Sequence, residues 1–195
     1  MKIHIQVTGK TPLLMHNERL SDPDDEITKK IKEITAKRTH ATENDKEQIS
    51  KLEFRGGLYL DLKDNLVIPT ANLIRCIREA ATVTKAGKKI SRGLSPTEMH
   101  VPLTIDGPNN LDKIIKEDRY FDRRQVKVNN GRVKRTRPIF QTWSFETYFE
   151  LLDDVLNFDE FVRIIEMAGR AVGLCDARIL GFGRFDVKVS KTKTA

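Results

Sequence analysis

The strongest constraint on the fold is an alternation of apolar and polar residues from Trp143 to Leu151. Every second side chain in this stretch is apolar or β-branched, which is the period of a β-strand with one buried face. Residues 2–8 have the same period, and residues 185–189 repeat it near the end of the sequence. The chain is therefore expected to form a sheet that is buried on one side.

Helical periodicity separates these strands. Apolar residues at helical spacing follow Thr70, a residue type that caps helices, and a second such pattern follows Asn157 or Asp159. Residues 101–105 predict a further strand. Without its insertions the order is strand, helix, strand, strand, helix, strand. This order predicts an α+β fold with the ferredoxin-like βαββαβ core of RNA-recognition folds.

The 195 residues are predicted to form one domain, residues 1–195, with two insertions. Residues 10–68, after strand 1, are expected to be mostly helical and to end in a short hairpin of residues 57–62 with 66–69. Residues 106–140, between strands 2 and 3, are expected to contain a basic β-hairpin that projects from the core. Its turn is predicted at Asn129-Asn130-Gly131, because these residue types tolerate the positive φ of tight turns.

Positive charge is concentrated in one segment. The formal net charge is +7, and residues 119–137 hold eight basic residues against one acidic residue. A second basic cluster follows the first predicted helix and contains Lys85, Lys88, Lys89 and Arg92. Clusters of one sign on connecting segments are typical of nucleic-acid-binding proteins. For each side chain taken singly, a solvated surface position is the alternative.

Several classes of protein lack their sequence signals here. No apolar run approaches the length of about 20 residues that spans a bilayer, and residues 1–7 lack the apolar block of a signal peptide, so a cytoplasmic protein is expected. Cys76 and Cys175 form no CxxC pair, which argues against a disulfide framework or a zinc site. The patterns GxxxxGK[ST], HExxH and GxSxG are absent. We expect no metal and no cofactor.

A glycine-rich stretch connects the second predicted helix to the last strand. Residues 173–185 read GLCDARILGFGRF. Glycine permits positive φ and close approach by a second molecule, while exposed N–H groups and arginines suit phosphate oxygens. The alternative is a tight connection that needs glycine only for its own geometry.

The stretch resembles the glycine-rich loop of the repeat-associated mysterious protein (RAMP) superfamily, the RNA-binding proteins of CRISPR effector complexes. In that family the loop precedes the final strand of a ferredoxin-like unit, with the pattern Gly-apolar-Gly, a spacer and Gly-apolar-Gly. Gly181-Phe182-Gly183 matches the second half and Gly173-Leu174 the start of the first, whereas Cys175 stands where the next glycine is expected. Residues 11–14 (TPLL) and 68–75 (IPTANLIR) agree with the family as well.

The resemblance implies a non-catalytic, largely sequence-independent RNA-binding protein. Backbone subunits of these complexes repeat along guide RNA, hold its phosphates with basic loops and push a thumb-like β-hairpin between bases. The implied partners are single-stranded RNA, copies of the same chain along the strand and other effector-complex subunits. The residues implied to contact nucleic acid are Arg75, Arg78, Lys85, Lys88, Lys89, Arg123, Arg124, Lys127, Arg132, Lys134, Arg135, Arg137, Arg178, Gly181, Gly183 and Arg184.

An endoribonuclease is the first alternative, since other members of the superfamily cleave RNA without a metal, usually through a histidine. His16 is the best placed, with Arg19 nearby to stabilise a pentavalent phosphate. The other histidines are His4, His40 and His100. Some backbone subunits cut target RNA through a loop aspartate, for which the candidates are Asp22, Asp24 and Asp25.

Two further alternatives involve no catalysis. A phosphate groove without contacts to 2′-hydroxyls accepts either polymer, so the chain is also compatible with a single-stranded DNA coat. A viral or mobile-element mimic of a backbone subunit would keep the same surfaces and act as a protein-interaction inhibitor of an effector complex.

Overall fold

The computed structural model describes residues 1–37, 40–128 and 131–192. In these ranges there are ten strands and six α-helices. The strands are β1 (Lys2–Gly9), β2 (Leu13–Leu14), β3 (Val67–Pro69), β4 (Leu94–Pro96), β5 (His100–Pro102), β6 (Thr104–Ile105), β7 (Phe121–Val128), β8 (Gly131–Phe140), β9 (Trp143–Leu151) and β10 (Phe185–Lys191). The helices are α1 (Glu26–Thr35), α2 (Glu43–Gly57), α3 (Thr70–Ala80), α4 (Gly87–Gly93), α5 (Leu111–Ile114) and α6 (Phe158–Met167).

The main sheet is antiparallel, with the strand order β10-β1-β9-β4, and β6 pairs with the other end of β9. In the middle of the sheet, Ile5 of β1 lies opposite Val189 of β10 and Thr147 of β9. Alternate side chains of β9 are buried, as its sequence predicts. The opposite face, which includes the exposed Glu146, is open to solvent.

Helices α3 and α6 cover the buried face of the sheet. Leu73 and Ile77 of α3 and Phe161 and Ile165 of α6 share one core with Phe149 of β9, and all five are fully buried. Both helices form where helical periodicity predicts them. Across the described ranges, the structure contains no helix with the length and hydrophobicity needed to span a membrane.

The two helices begin differently. Asn157 caps α6 by accepting hydrogen bonds from two N–H groups of the first turn, as predicted. The prediction that Thr70 caps α3 is wrong: the cap residue is Pro69, which makes no side-chain bond. Thr70 is the first helical residue, and its hydroxyl donates instead to the carbonyls of Glu98 and Met99. The Thr70 hydroxyl, which was predicted to cap α3, therefore makes a tertiary contact instead.

The predicted hairpin of residues 57–69 forms only in part. Gly57 is the last residue of α2, not the start of a strand, and a single bridge joins Leu60 to Leu66. Gly57 lies against Pro138, where a Cβ would be 2.8 Å from the proline ring. Close packing against β8 accompanies the end of α2 at Gly57, residues 58–62 lie outside any helix, and β3 pairs with β5 instead.

The predicted strand over residues 101–105 is two strands. β5 pairs with β3 whereas β6 pairs with β9. The chain changes partner at Leu103, whose N–H donates to the carbonyl of Leu66 (3.0 Å). Alternation shows that a segment is extended but not which strand it pairs with, so this division has no signal in the sequence. The short elements β2, α4, β4 and α5 were not predicted from the sequence.

Strands β7 and β8 form a long basic hairpin that contains the predicted one at residues 126–134. The predicted turn residues Asn129 and Asn130 lie outside the described residues. The base of the hairpin is anchored on α2, because the buried carboxylate of Glu53 accepts bonds from the Thr136 N–H (2.8 Å) and from Arg135 (2.6 Å). The half nearest the core is thus packed, whereas the prediction was a hairpin that projects from the core.

Candidate nucleic-acid interface

The glycine loop, residues 173–184, is fixed by hydrogen bonds at its two ends. Leu174 N–H donates to the Gly183 carbonyl (2.9 Å), and Gly183 N–H donates to the Pro12 carbonyl (2.8 Å). Gly173 and Gly183 have φ of +83° and +69°. A Cβ on Gly183 would overlap the carbonyl oxygen of Leu174. These two glycines are therefore required by the geometry of the loop itself, which is the simpler of the two interpretations of the pattern.

Gly181 is different, because its free side faces open space. Its φ is +89°, and within the described part of the chain no atom lies within 4 Å of the position that a Cβ would take. Its carbonyl accepts a hydrogen bond from the Thr11 hydroxyl (2.8 Å), and the same hydroxyl oxygen accepts from Arg184 N–H (2.9 Å). Gly181 is thus anchored through its carbonyl and remains open to the approach of another molecule.

Cys175 keeps the backbone conformation that a glycine would favour at its position. Its φ is +61°, and Ala177 has a φ of +53°. The Cys175 thiol lies 3.9 Å from the Asn72 side-chain nitrogen, and burial raises its pKa to about 12. The thiol is therefore protonated near neutral pH, and the departure from the glycine pattern leaves the path of the loop intact.

A cleft of about 780 Å³ lies between the glycine loop, α3 and β8. It is lined by four arginines that the resemblance assigned to nucleic acid: Arg75 from α3, Arg137 from β8, and Arg178 and Arg184 from the loop. His16 lines the cleft too. Residues that are more than a hundred positions apart in sequence therefore meet at one site. The remaining polar side chains of the cleft are those of Glu18, Tyr59, Asn72, Glu79, Cys175 and Asp176.

Two of the four arginines are paired with carboxylates. Arg137 Nε lies 3.1 Å from Asp176 Oδ2, and Arg178 Nη1 lies 2.7 Å from Glu79 Oε2. With Glu18 counted as well, three acidic residues face four arginines, so the lining of the cleft has an excess of one positive charge. The cleft attracts anions, but less strongly than its arginines alone would suggest.

The other two arginines have unused hydrogen-bond donors. Arg184 donates from Nη2 to the Arg178 carbonyl (3.2 Å), while its Nη1 is buried and has no hydrogen-bond partner in the described structure. Arg75 is exposed and forms no ion pair with any described residue. A buried N–H without an acceptor costs free energy, and Arg75 keeps its donors open to an anion.

His16 is exposed at the edge of the cleft. Desolvation by nearby protein atoms lowers its pKa, and Arg137 and Arg135 lower it further, while Asp176 acts in the opposite direction. The imidazole is therefore mostly neutral near pH 7 and able to accept a proton. His16 and Arg137 also line a second cavity of about 410 Å³ between α1 and the hairpin, so these two side chains border both cavities.

Most arginines in the packed half of the hairpin are neutralised by acidic residues. The pairs, with N–O distances of at most 2.6 Å, are Arg123 with Asp118, Arg124 with Asp122, and Arg135 with Glu53. Arg124 also lies over the ring of Phe182, 5.0 Å from its centroid, which connects the hairpin to the glycine loop. Arg132 and Lys134, farther from the core, are exposed. The side chain of Lys127 lies outside what the structure describes.

The second basic cluster lies apart from the cleft. Lys85 and Lys88 are exposed beside or on α4, and Lys89 forms an ion pair with Glu160 of α6 (3.0 Å). Neither these lysines nor Arg78 lines the cleft. The basic residues that were predicted to line one groove therefore lie in two separate regions of the structure.

The proposed nuclease residues are not assembled around His16. Arg19 forms an ion pair with Asp25 (2.8 Å) and does not line the cleft. Asp25 is the cap of α1, and Asp22 accepts a bond from the Asp24 N–H (2.9 Å), as turn residues do. Among residues 1–37, 40–128 and 131–192, no group of three or more His, Cys, Asp or Glu side chains is placed to hold a metal ion.

Sequence reasoning missed several residues of the cleft. Glu79 follows Arg75 by four positions on α3, and this spacing places both on one helical face, so a signal was present. Asp176 and Tyr59 have no comparable signal, because their partners are distant in sequence. Ile179 and Leu180 also line the cleft, and their position between an arginine and a glycine was visible in the sequence.

Comparison with known proteins adds one finding. No protein-family model matches the sequence, and no curated protein matches it. Among solved structures, the fold is similar to that of a chain in the cryo-EM structure of type III-B Cmr-β bound to cognate target RNA, with a TM-score of 0.55 and 12% identity. The match covers 97% of this chain but 60% of that one. The protein thus has an α+β fold with antiparallel sheets, similar to that of a chain from an RNA-bound complex.

Proposed function

We propose that the protein binds single-stranded RNA, without cleaving it and largely independently of sequence, as a subunit of a CRISPR-type effector ribonucleoprotein. The observation that carries this proposal is the convergence of Arg75, Arg137, Arg178 and Arg184 on one cleft beside the glycine loop. A planar guanidinium offers paired N–H donors to phosphate oxygens. The similarity to a chain of type III-B Cmr-β bound to cognate target RNA supports the same function.

We infer further that the main sheet with α3 and α6 is a ferredoxin-like core of the RAMP type. In that fold the sheet order is last, first, third and second strand, all antiparallel. The order β10-β1-β9-β4 corresponds to it, with α3 after the first strand of the core and α6 before the last. The second strand of this core is β4 and not the predicted strand at residues 101–105. In this interpretation residues 1–195 form one domain, and residues 10–68 and 106–140 are its insertions.

Arg75 and Arg184 are the proposed principal phosphate contacts. Neither is paired with a carboxylate in the described structure, whereas Arg137 and Arg178 are shared with Asp176 and Glu79. Because the cleft has an excess of only one positive charge, we expect moderate affinity from the cleft alone. Further phosphate contacts outside it are then needed for tight binding.

The proposed further contacts are on the hairpin and on α4. Arg132 and Lys134 are exposed on the half of the hairpin that extends beyond Glu53, which suits a thumb-like element. The exposed Lys85 and Lys88 would bind phosphates outside the cleft. Copies of the chain along one strand would bring such patches next to one another.

The test is fluorescence anisotropy of a labelled single-stranded RNA at increasing salt. The variant Arg75→Glu/Arg184→Glu is expected to bind at least about tenfold more weakly and to lower the slope of log K against log salt by about 1.4, since each phosphate contact to a single strand contributes about 0.7. The matched control is Lys63→Glu/Lys188→Glu, which changes net charge equally at exposed positions outside the cleft. Equal losses in both variants, or no RNA binding by the parent protein at low salt, would contradict the proposal.

The same samples separate the alternatives. RNA cleavage in EDTA that His16→Ala abolishes would indicate an endoribonuclease. Tighter binding to a single-stranded DNA of the same sequence would indicate a DNA coat. A stable complex with effector-complex proteins in the absence of nucleic acid would indicate an inhibitor.

A further inference from the structure

Two aliphatic side chains at the tip of the glycine loop lie almost entirely in solvent. Ile179 is 99% exposed and Leu180 is 71% exposed. Both line the cleft that contains the four arginines. Single exposed aliphatic residues are ordinary, but two adjacent ones on the wall of a charged cleft form a small apolar surface that has no partner within the described structure.

The turn that carries them is held at both ends. The 3₁₀ turn Arg178–Leu180 lies between two residues of positive φ, Ala177 and Gly181, and Leu180 N–H donates to the Ala177 carbonyl (2.9 Å). Arg178 is tied to Glu79 of α3 (2.7 Å), and the Gly181 carbonyl accepts from Thr11. The apolar pair is therefore presented by an anchored turn.

The surrounding charge indicates what covers this apolar pair. Arg178 precedes it in the chain, and Arg75 and Arg184 line the same cleft. A nucleotide combines the two chemistries that meet here, because its base has planar apolar faces and its phosphate is anionic. A protein partner fits less well, since a stable interface buries about 1,200 Å² or more, which two side chains cannot supply.

We propose that Ile179 and Leu180 form an apolar wedge on which one base of the bound RNA packs, while Arg75 and Arg184 hold phosphates beside it. This inference rests on the proposed function and adds a base contact to the phosphate contacts of the glycine loop. Packing against a base face separates that base from its neighbour without reading its identity. The wedge is distinct from the hairpin, which lies on a different element.

The test uses single-stranded RNA with 2-aminopurine at successive positions, whose fluorescence rises when the base is unstacked. At saturating protein, Ile179→Ser/Leu180→Ser is expected to lose most of the rise at the positions that the wedge contacts. Its affinity should fall by about three- to tenfold, the size expected for the loss of two partly buried apolar side chains. The slope of affinity against salt should not change, because no phosphate contact is removed.

The matched control is Leu62→Ser/Val83→Ser, which removes two exposed aliphatic side chains outside the cleft, 106% and 76% exposed. It should retain the fluorescence rise. Both variants should have the melting temperature of the parent protein, because all four side chains are exposed. If RNA binding persists and the wedge variant keeps the full rise, the wedge is overturned while the proposed function stands. If the wedge variant loses self-association without RNA and keeps the rise, the pair is a protein contact instead. If the parent protein does not bind the RNA at all, the proposed function itself fails.

Discussion

Glu53 shows at the scale of one residue why charge in sequence differs from charge in space. Its carboxylate is 5% exposed, and it accepts bonds from Arg135 and from the Thr136 N–H. A buried carboxylate is tolerated only with such partners. The sequence identifies the basic residues of the hairpin, but not that Glu53, more than eighty positions away, neutralises one of them. The arginines of the cleft could be predicted from the glycine loop and the first helix, whereas their pairing with Glu79 and Asp176 could not, because these partners are distant in sequence.

Gly183 and Gly181 provide a matched pair of substitutions. Both have positive φ, which costs an alanine about 1–2 kcal/mol. Gly183→Ala must also displace the Leu174 carbonyl, so we expect it to lower the free energy of unfolding by about 3 kcal/mol or more. Gly181→Ala should lower the free energy of unfolding only by the cost of a positive φ, because no atom of the described structure lies near the added Cβ. Urea unfolding of the two variants measures the difference, and equal losses would show that the Leu174 contact does not require glycine.

At the scale of elements, periodicity succeeded where one face of an element is buried in one core. The strands β1, β9 and β10 and the helices α3 and α6 all meet this condition, and all five were predicted. The predictions failed where a non-local partner decides the structure. Gly57 belongs to α2, where Pro138 packs on it, and residues 101–105 divide because β5 pairs with β3 whereas β6 pairs with β9.

The start of α2 predicts a pH dependence of stability. A hydrogen bond from Lys37 (2.6 Å), with bonds from the N–H and hydroxyl of Thr42, lowers the pKa of Asp45 to about 2 from an ordinary 3.8. Above about pH 5 the carboxylate is ionised in both states and its contribution is complete. As the pH falls from about 5 towards 2, the unfolded chain binds a proton that the folded protein does not, and the contribution is lost.

Asp45→Asn is therefore expected to be less stable than the parent protein near pH 7, and the difference should shrink between about pH 5 and pH 2. Urea midpoints measured across this range test the prediction. Asp64→Asn is the control, because Asp64 is exposed and forms no ion pair in the described structure, and asparagine tolerates its positive φ. A difference for Asp45→Asn that stays constant with pH would contradict the prediction.

For the molecule as a whole, charge is arranged so that one side suits RNA better than the other. On the open face of the sheet, Tyr148 stacks with His4 at a centroid distance of 4.7 Å, and exposed aromatic rings on a sheet are a common platform for bases. Here Lys2 lies over the Tyr148 ring, 4.8 Å from its centroid, and two carboxylates, Glu146 and Glu150, flank Tyr148 along β9 and would repel phosphates. The net charge of +7 predicted an anionic partner, but only the fold shows that the cleft rather than the open sheet combines arginines with an accessible loop.

Hydrogen exchange tests this arrangement over the whole chain. Without RNA, amides of β1 and β9 should exchange slowest, because both strands are paired on two sides, and those of the exposed half of the hairpin should exchange fastest. RNA should slow exchange in residues 175–182 and 131–135. Protection confined to α4 and α6 would place the RNA on the helical layer and contradict the cleft.

The hydrogen bonds that tie the glycine loop to residues 11–14 have a practical consequence. Besides Pro12 and Thr11, the Leu14 carbonyl takes part by accepting from Asp176 N–H (2.9 Å). These contacts, together with the ion pair between Arg178 and Glu79, hold the loop and leave Ile179 and Leu180 without a part in the core. The side chains of residues 179 and 180 can therefore be replaced without loss of the contacts that fix the loop. New side chains at these two positions can change what the protein binds while the rest of the fold stays as it is.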